Sequence, residues 1–551
     1  MIKMADIFAK FLGHMSMCVC SKIAHLSHPS DFRKKTVEAF DVFWRHHPAL
    51  LYALFALIGI HVALSYSILT LIPLTILGLP FFLSSLYSFR QLKIRLLCGL
   101  AISCGFYAYV AAAYVYPKIE VQGVSGIACI DISALRQVNG YHGKNWKYAG
   151  TLLHFTPKSA KGDAISIARN VPYTLFLPGS AETHPPASGA YYVEAVLKEW
   201  RSGYYILNVK KGGQWIPIPH SWSLAEWRFQ LKRKAVAAIH ASIPNERSAH
   251  FLAGIVTGEF DDELLSFEFS RFGLQHIMAI SGFHFGIIAS ILGFFLQQGF
   301  SQKNQAILLL IFLTLYFLFL GPACSIMRAW ITISIYLLGH LLGKRTFGLN
   351  SLGIALLILL FFNPLSYRSL AFQFSVLTTA GILLFVPLSL NFLEKIWRKR
   401  PLQAVIKMPL LDQHGYTLLS IFRHGIALCL AVNVCAFPLT LYHFHKFPLM
   451  SLVYNLFFPF LVSVAVFLLI AAICVGMICP YLGDWIHALN SEFSAWMLDF
   501  TFNMPTTVDF FYRVSSMSGL SLVCYLTLLF SGGILLTNSM RQAKSSIDYL
   551  T

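Results

Sequence analysis

The sequence predicts a polytopic α-helical membrane protein of about ten or eleven spans, with one small extracytoplasmic β domain that reads as OB-fold-like. Three observations predict it. Hydrophobic residues fill 56% of the 551 positions and charged residues only 12%, where soluble domains carry about 25%. Mean hydropathy is +0.64. Apolar runs of bilayer length recur along the chain, and one stretch of about a hundred residues departs from them into alternating, turn-rich sequence. This composition excludes a soluble enzyme, a disordered scaffold and a nuclear DNA-binding module. With 42 basic and 24 acidic residues the formal charge is +18.

Residues 1–48 form a polar, mildly basic segment with no visible signal peptide. Its Cys18-Val-Cys20 is a lone C-x-C without the second pair a zinc site needs, and no metal site is expected. Residues 49–116 read as three spans. The first two make a hairpin broken at Pro73 and Gly78-Leu79-Pro80, and the third follows the connector holding Arg90, Lys93 and Arg95. Those cations, with Arg33, Lys34, Lys35 and Arg45, place the N-terminus and the connector in the cytoplasm. The third span then exits on the far side.

Residues 117–222 are the only soluble-looking part. Candidate strands are 120–130, 146–155, 165–169, 173–177, 191–197, 204–209 and 215–218, with Arg201-Ser202-Gly203 as a hairpin turn. Short strands of this number suit a small barrel or, on spacing alone, a sandwich. From Lys118 to Lys211 there are 11 Lys and Arg against 6 Asp and Glu. Lys144, Lys147, Arg201, Lys210 and Lys211 lie among Tyr192, Trp200 and Tyr204, and cations interleaved with aromatics are how single strands are held. The competing reading is that alternation buries about half of these aromatics as core.

Residues 223–273 form a linker with an amphipathic helix near Leu224–Ile243. Its Arg228, Lys232, Arg233 and Lys234 oppose Leu231, Val236 and Ile239, so it lies on the membrane surface or packs on the β domain. A second membrane block covers 274–537, with apolar runs at 275–297, 305–320, 324–343, 349–362, 371–393, 424–443, 450–479 and 517–537, and a tail at 538–551. Basic connectors at 344–345 and 391–423 face the cytoplasm. The 450–479 run is broken at Pro459, which suggests a re-entrant piece followed by a span.

Polar groups inside apolar runs point to function, since a central Arg costs about 2.5–3.5 kcal/mol. His276 and His284 fall eight residues apart, near one helical face. Arg328 follows the Gly321-Pro322 break. Asn433, Tyr442, His443, His445 and Asn455 cluster near Pro438. Each has a plainer reading: His443 and His445 in a solvated loop, Arg328 snorkelling from a span end, His276 and His284 as interhelical hydrogen bonders. On the residues alone, the chain is a polytopic protein with a polar path.

At these places the sequence resembles the ComEC family of DNA-uptake channel proteins. Four stretches carry the resemblance: Arg271 to His284, with Gly273-Leu274-Gln275-His276 and Ile280-Ser281-Gly282-Phe283-His284; Ser325-Ile326-Met327-Arg328-Ala329; Asn363-Pro364, Phe372-Gln373-Phe374-Ser375 and Gly381; and Pro438-Leu439 through Tyr442-His443-Phe444 to Pro448, with Asn455 and Pro459. The three N-terminal spans and the β domain are also similar to the family's front end. The resemblance implies an inner-membrane channel, in a bacterial cell membrane, that passes single-stranded DNA to the cytoplasm. Its pathway residues would be His276, Ser281, Gly282, His284, Ser325, Arg328, Gln373, Asn433, Tyr442 and Asn455. No catalytic residue and no cofactor are implied. Implied partners are single-stranded DNA, the lipid bilayer, a periplasmic DNA-binding receptor and a cytoplasmic ATPase, helicase or single-strand-binding protein; a homo-oligomer is left open. Many members also carry a metallo-β-lactamase-like domain marked by H-x-H-x-D-H, which is not found here, so strand degradation is expected to fall to other proteins. Gly339 to Arg345 is not a P-loop, so the energy is expected from outside the chain. Two other functions stay open: transport of a small solute or lipid intermediate, and a membrane assembly role.

Overall fold

The structure is a computed structural model that describes residues 29–65, 90–116, 123–140, 143–158, 167–178, 184–201, 204–209, 213–260, 262–278, 282–505, 510–513 and 517–548, without the side chains of 29–35, 65, 90, 140, 201 and 541–548. The Cys18-Val-Cys20 pair and the turn at Pro73 and Gly78-Leu79-Pro80 lie outside these residues.

Alternating burial builds the β domain. In β3 (Ala168–Pro178), Ala168, Val171, Tyr173 and Leu175 point inward and their neighbours outward. The other strands are β1 (Val124–Gly140), β2 (Gly143–Pro157), β4 (Ala190–Arg201), β5 (Tyr204–Val209) and β6 (Trp215–Pro217). They follow the order β1-β2-β3-β5-β4-β6, and pairing of β1 with β4 closes a five-stranded barrel. Closure requires β1 to bend and serve two neighbours, and it does so through irregularities at Cys129/Ile130 and Ile132/Ala134. β3 and β5 run parallel and the other barrel pairs antiparallel. Tyr148, Phe155, Leu175, Leu197, Tyr205 and Leu207 fill the interior.

The sequence reads 165–169 and 173–177 as separate strands, but β3 passes through the gap. Asn170 makes the bend with φ 55°, a conformation asparagine tolerates, and its amide Nδ2 donates to Ala113 O at 2.9 Å. With the Val115–Arg169 bridge, this ties the barrel to the end of the third span.

Among the described residues, seven helices are long and apolar enough to cross a bilayer: Gln91–Ala113, Gln302–Leu320, Cys324–Leu341, Leu370–Ile396, Leu410–Phe444, Ser451–Gly476 and Gly519–Met540. The pair 36–46 and 48–64, bent by 95°, passes the same test together, and Gly282–Leu296 and Gly348–Phe362 are shorter apolar helices. Three expectations change here. Helix Ser451–Gly476 runs unbroken through Pro459, and no re-entrant piece forms there. The 275–297 run is not one helix, because a four-residue helix Gln275–Met278 precedes Gly282–Leu296. His276 and His284 therefore do not share a face. Helix Pro480–Phe502 has no counterpart among the expected elements. It buries Asn490, Ser491, Ser494 and Thr501 against its neighbours, so its sequence lacks the apolar run that marks the others.

The linker helix is Ala225–Ser242. It buries Ala225, Phe229 and Ile239 rather than floating on lipid, and it buries Lys232 with them. Lys232 Nζ meets Glu259 Oε1 at 2.9 Å, and Arg136 of β1 reaches the same oxygen at 3.4 Å. Burial holds the Lys232 amine below the usual lysine value even though Glu259 pulls it upward. One residue of the expected charged face is thus part of the joint between barrel and membrane block.

Candidate functional site: a ring of four sequence stretches

The four stretches that carry the resemblance are far apart in sequence and meet in space. Helix Gln302–Leu320 ends at Gly321 (φ 99°), Pro322 follows, and helix Cys324–Leu341 starts two residues later. Arg328 therefore sits in the first turns of a new helix. It is only 8% exposed, which is not the position of a snorkelling end residue. Its Nε donates to Ser375 Oγ at 2.8 Å, which joins the second stretch to the third. A β-carbon at Gly282 would lie 2.6 Å from Arg328 Nη2, so the first stretch meets the second, and a larger side chain there would push the guanidinium aside.

The circuit continues through Gln373, one turn into helix Leu370–Ile396. Its Oε1 lies 2.8 Å from His443 Nε2, and its Nε2 donates to Tyr367 O at 3.1 Å. His443 thus belongs to the last turn of helix Leu410–Phe444 and bonds a neighbouring helix; the solvated-loop reading fails for it. His445, exposed and with φ 56°, caps that helix. Lys446–Pro448 then pairs with Phe511–Arg513. Gly273 (φ 69°) closes the ring. A side chain there would meet Pro448 Cγ at 2.6 Å and Ser451 Cβ at 2.8 Å, which joins the fourth stretch to the first.

Among the described residues no carboxylate pairs with Arg328. A buried cation without a counter-charge carries a desolvation penalty of several kcal/mol. Hydrophobic residues of similar volume would stabilise the fold better, so the charge points to function.

The other expected pathway residues divide. His284 is buried beside the ring, Ser325 is half-buried, and His276 is exposed with Nδ1 3.2 Å from Gly273 O. Tyr442 stacks edge-on against His443 at 4.9 Å. Asn455 has a buried Oδ1 with no hydrogen-bond partner among the described residues. Asn433 points elsewhere: it is buried and its amide Nδ2 bonds Cys429 O at 2.8 Å in its own helix. Ser281 lies outside the described residues. Beside Gly282, an open apolar groove of about 570 Å³ runs between helices Gly282–Leu296 and Ser451–Gly476, lined by Phe283, Gly286, Ser290, Ser463 and Phe467 among others.

On the barrel, the described members of the expected strand-binding set lie on β2, β4 and β5. Lys147 lies over the Phe176 ring at 5.7 Å, opposite Arg136 across the β1–β2 register. Burial, then Arg136, holds its amine below the usual lysine value. Lys144 is exposed near the β1–β2 turn, Tyr192 is exposed opposite Ile216, and Trp200 is 66% exposed at the end of β4. Tyr204 is half-buried and faces the membrane block. Lys210, Lys211 and the Arg201 side chain lie outside the described residues.

The pathway set that the resemblance implies leaves out Ser375 and His443, although both stand inside its stretches and His443 is weighed among the polar groups. Each lies one or two residues from a chosen one, and spacing alone does not say which neighbour turns inward. Arg368 was also missed, although a basic residue deep in an apolar block was signal enough.

A family described as Competence protein matches residues 258–539, just over half of the chain and all four stretches of the ring. ComE operon protein 3 of Bacillus subtilis (strain 168) is 27% identical over 229 residues, which is 41% of this chain and 26% of that protein. The match thus spans about a quarter of that relative's length. No solved structure matches. Its spans and its relatives make the protein a multi-pass inner-membrane protein. By the match over its second half, the chain belongs to the ComEC-type competence protein family.

Proposed function

We infer that this protein serves DNA uptake by passing single-stranded DNA across the inner membrane, with the ring around Arg328 as the constriction. The observation that carries the reading is the closed circuit Gly282–Arg328–Ser375, Gln373–His443 and Pro448–Gly273, formed around a buried cation that has no carboxylate among the described residues. A polyanion crossing a low-dielectric layer needs fixed cations and dipoles in place of water. Arg328 supplies a planar, always-charged donor that suits phosphate, close to the N-terminus of a helix. The polar side chains of Gln373, His443, His276 and Ser325 would surround the same passage.

The barrel would receive the strand. Read as an OB-type barrel, it would bring faces and loops that hold oligonucleotides, and Lys147, Phe176 and Arg136 would offer charge beside an aromatic face. The reading assigns motor and nuclease functions to partners on either side of the membrane.

The test follows fluorescent double-stranded DNA in cells with and without the gene. The reading expects DNA to reach the outer compartment in both and the cytoplasm only with the gene; unchanged cytoplasmic arrival removes it. The apolar groove beside Gly282 favours a second reading, transport of a lipid intermediate. That reading gains if uptake is unchanged and a lipid precursor accumulates.

A further inference from the structure

Between the barrel and the ring lies a cluster that neither the barrel nor the ring accounts for. Arg368 ends the short 3-10 helix Pro364–Arg368, immediately before the helix that carries Gln373 and Ser375. Its guanidinium lies 5.9 Å from the centre of the Tyr367 ring and 6.0 Å from that of Tyr116. Tyr116 packs on the barrel core, and Tyr367 O accepts the Gln373 amide. One side of the guanidinium therefore leads to the barrel and the other to the ring. Tyr114 stacks on Tyr116 with planes 10° apart. Tyr204 of β5 faces the same place: burial raises its hydroxyl pKa, and the Arg368 charge pulls it back.

We propose that Tyr116, Tyr367 and Arg368 form a binding site for a single-stranded nucleic acid, a base resting against the Tyr367 ring and a phosphate meeting the Arg368 guanidinium and the Tyr116 hydroxyl, on the way from barrel to ring. The proposal rests on the DNA-uptake reading and adds the handover point to it. Three features favour a ligand over a purely structural knot. First, Arg368 Nε and Nη2 are held by Tyr367 Oη at 3.3 Å and Leu64 O at 3.2 Å, while Nη1 makes no hydrogen bond among the described residues. Second, no carboxylate pairs with Arg368 among the described residues, so its charge is available to an anion. Third, the Tyr116 hydroxyl is buried with no hydrogen-bond partner among the described residues, and an unmet buried hydroxyl is costly. Arginine beside aromatic faces is the chemistry that holds single strands regardless of sequence.

The test uses the full chain in lipid nanodiscs with a single-stranded oligonucleotide carrying 5-iododeoxyuridine. After irradiation, crosslinks are mapped by mass spectrometry, and affinity is measured for the parent, Arg368→Lys and Tyr116→Phe. Arg368→Lys keeps the charge and loses the flat fork; Tyr116→Phe keeps the ring and the packing. The expected result is crosslinking at Tyr116 or Tyr367, with affinity lowered about tenfold by Arg368→Lys and less by Tyr116→Phe, at melting temperatures no lower than the parent's. Crosslinks confined to the outer barrel face, with both variants binding like the parent, would overturn this site and leave the uptake reading standing. If the parent binds and crosslinks no strand at all, the uptake reading falls, and this site falls with it.

Discussion

The barrel and the ring treat charge in opposite ways. On the barrel, Lys158 meets Glu194 at 2.6 Å with both side chains in reach of water, and Arg136 and Lys232 share Glu259. In the ring, Arg328 is buried, is held by a serine hydroxyl, and has no carboxylate among the described residues. Paired charges of the first kind serve the fold. An unpaired one weakens the fold, and on the proposed reading it is kept for a task that needs an anion. Stability and function should therefore separate in the ring and coincide in the joint beneath the barrel.

The sharpest way to break this comparison is Gly282→Val. The added side chain displaces the guanidinium, so uptake should fall while the yield of folded protein stays near the parent's; a fall in yield that matches the fall in uptake would break the comparison, and normal uptake would mean that the contact is loose. Next is Lys232→Met, which leaves the half-buried Glu259 with only the longer Arg136 contact and should cost about 2 kcal/mol of stability, less than for a fully buried pair. Lys232→Met with Glu259→Leu should recover most of that loss, and chemical denaturation of the purified protein checks both. Gln373→Leu removes the His443 bond inside the ring. It should cost about 1 kcal/mol and lower uptake more than its small stability loss explains. The smallest effects belong to the barrel surface. Lys158→Ala should shift stability by less than about 1 kcal/mol. Lys147→Ala should lower the slope of log affinity against log salt by about 0.7 for a bound single strand.

Much of this was legible in the sequence, for identifiable reasons. Strand alternation marks the β domain because its inward residues are mostly apolar, but closure was not legible: the expected first strand ends at 130, whereas β1 runs to Gly140 and pairs with two neighbours. The ring was legible as four stretches, although their meeting was not: hydrogen bonds between residues 70 apart, such as Gln373–His443, leave no periodic trace. Helix Pro480–Phe502 escaped because it buries polar residues against protein rather than apolar ones against lipid. Pro459 misled because neighbouring helices accommodate a proline inside a span. Lys232 misled because a helical wheel cannot see Glu259 arriving from another element. Asn433 was chosen as a polar residue in an apolar run, and its polarity is satisfied within its own helix.

The central claim is that the buried charge of the ring serves passage and not folding. It is tested most directly by cytoplasmic arrival of labelled DNA in cells carrying Arg328→Ala, with membrane protein level and melting temperature measured in parallel. The account predicts loss of arrival, with the protein present at normal level and at least as stable as the parent. Normal arrival in that variant, or loss explained by missing protein, would contradict it.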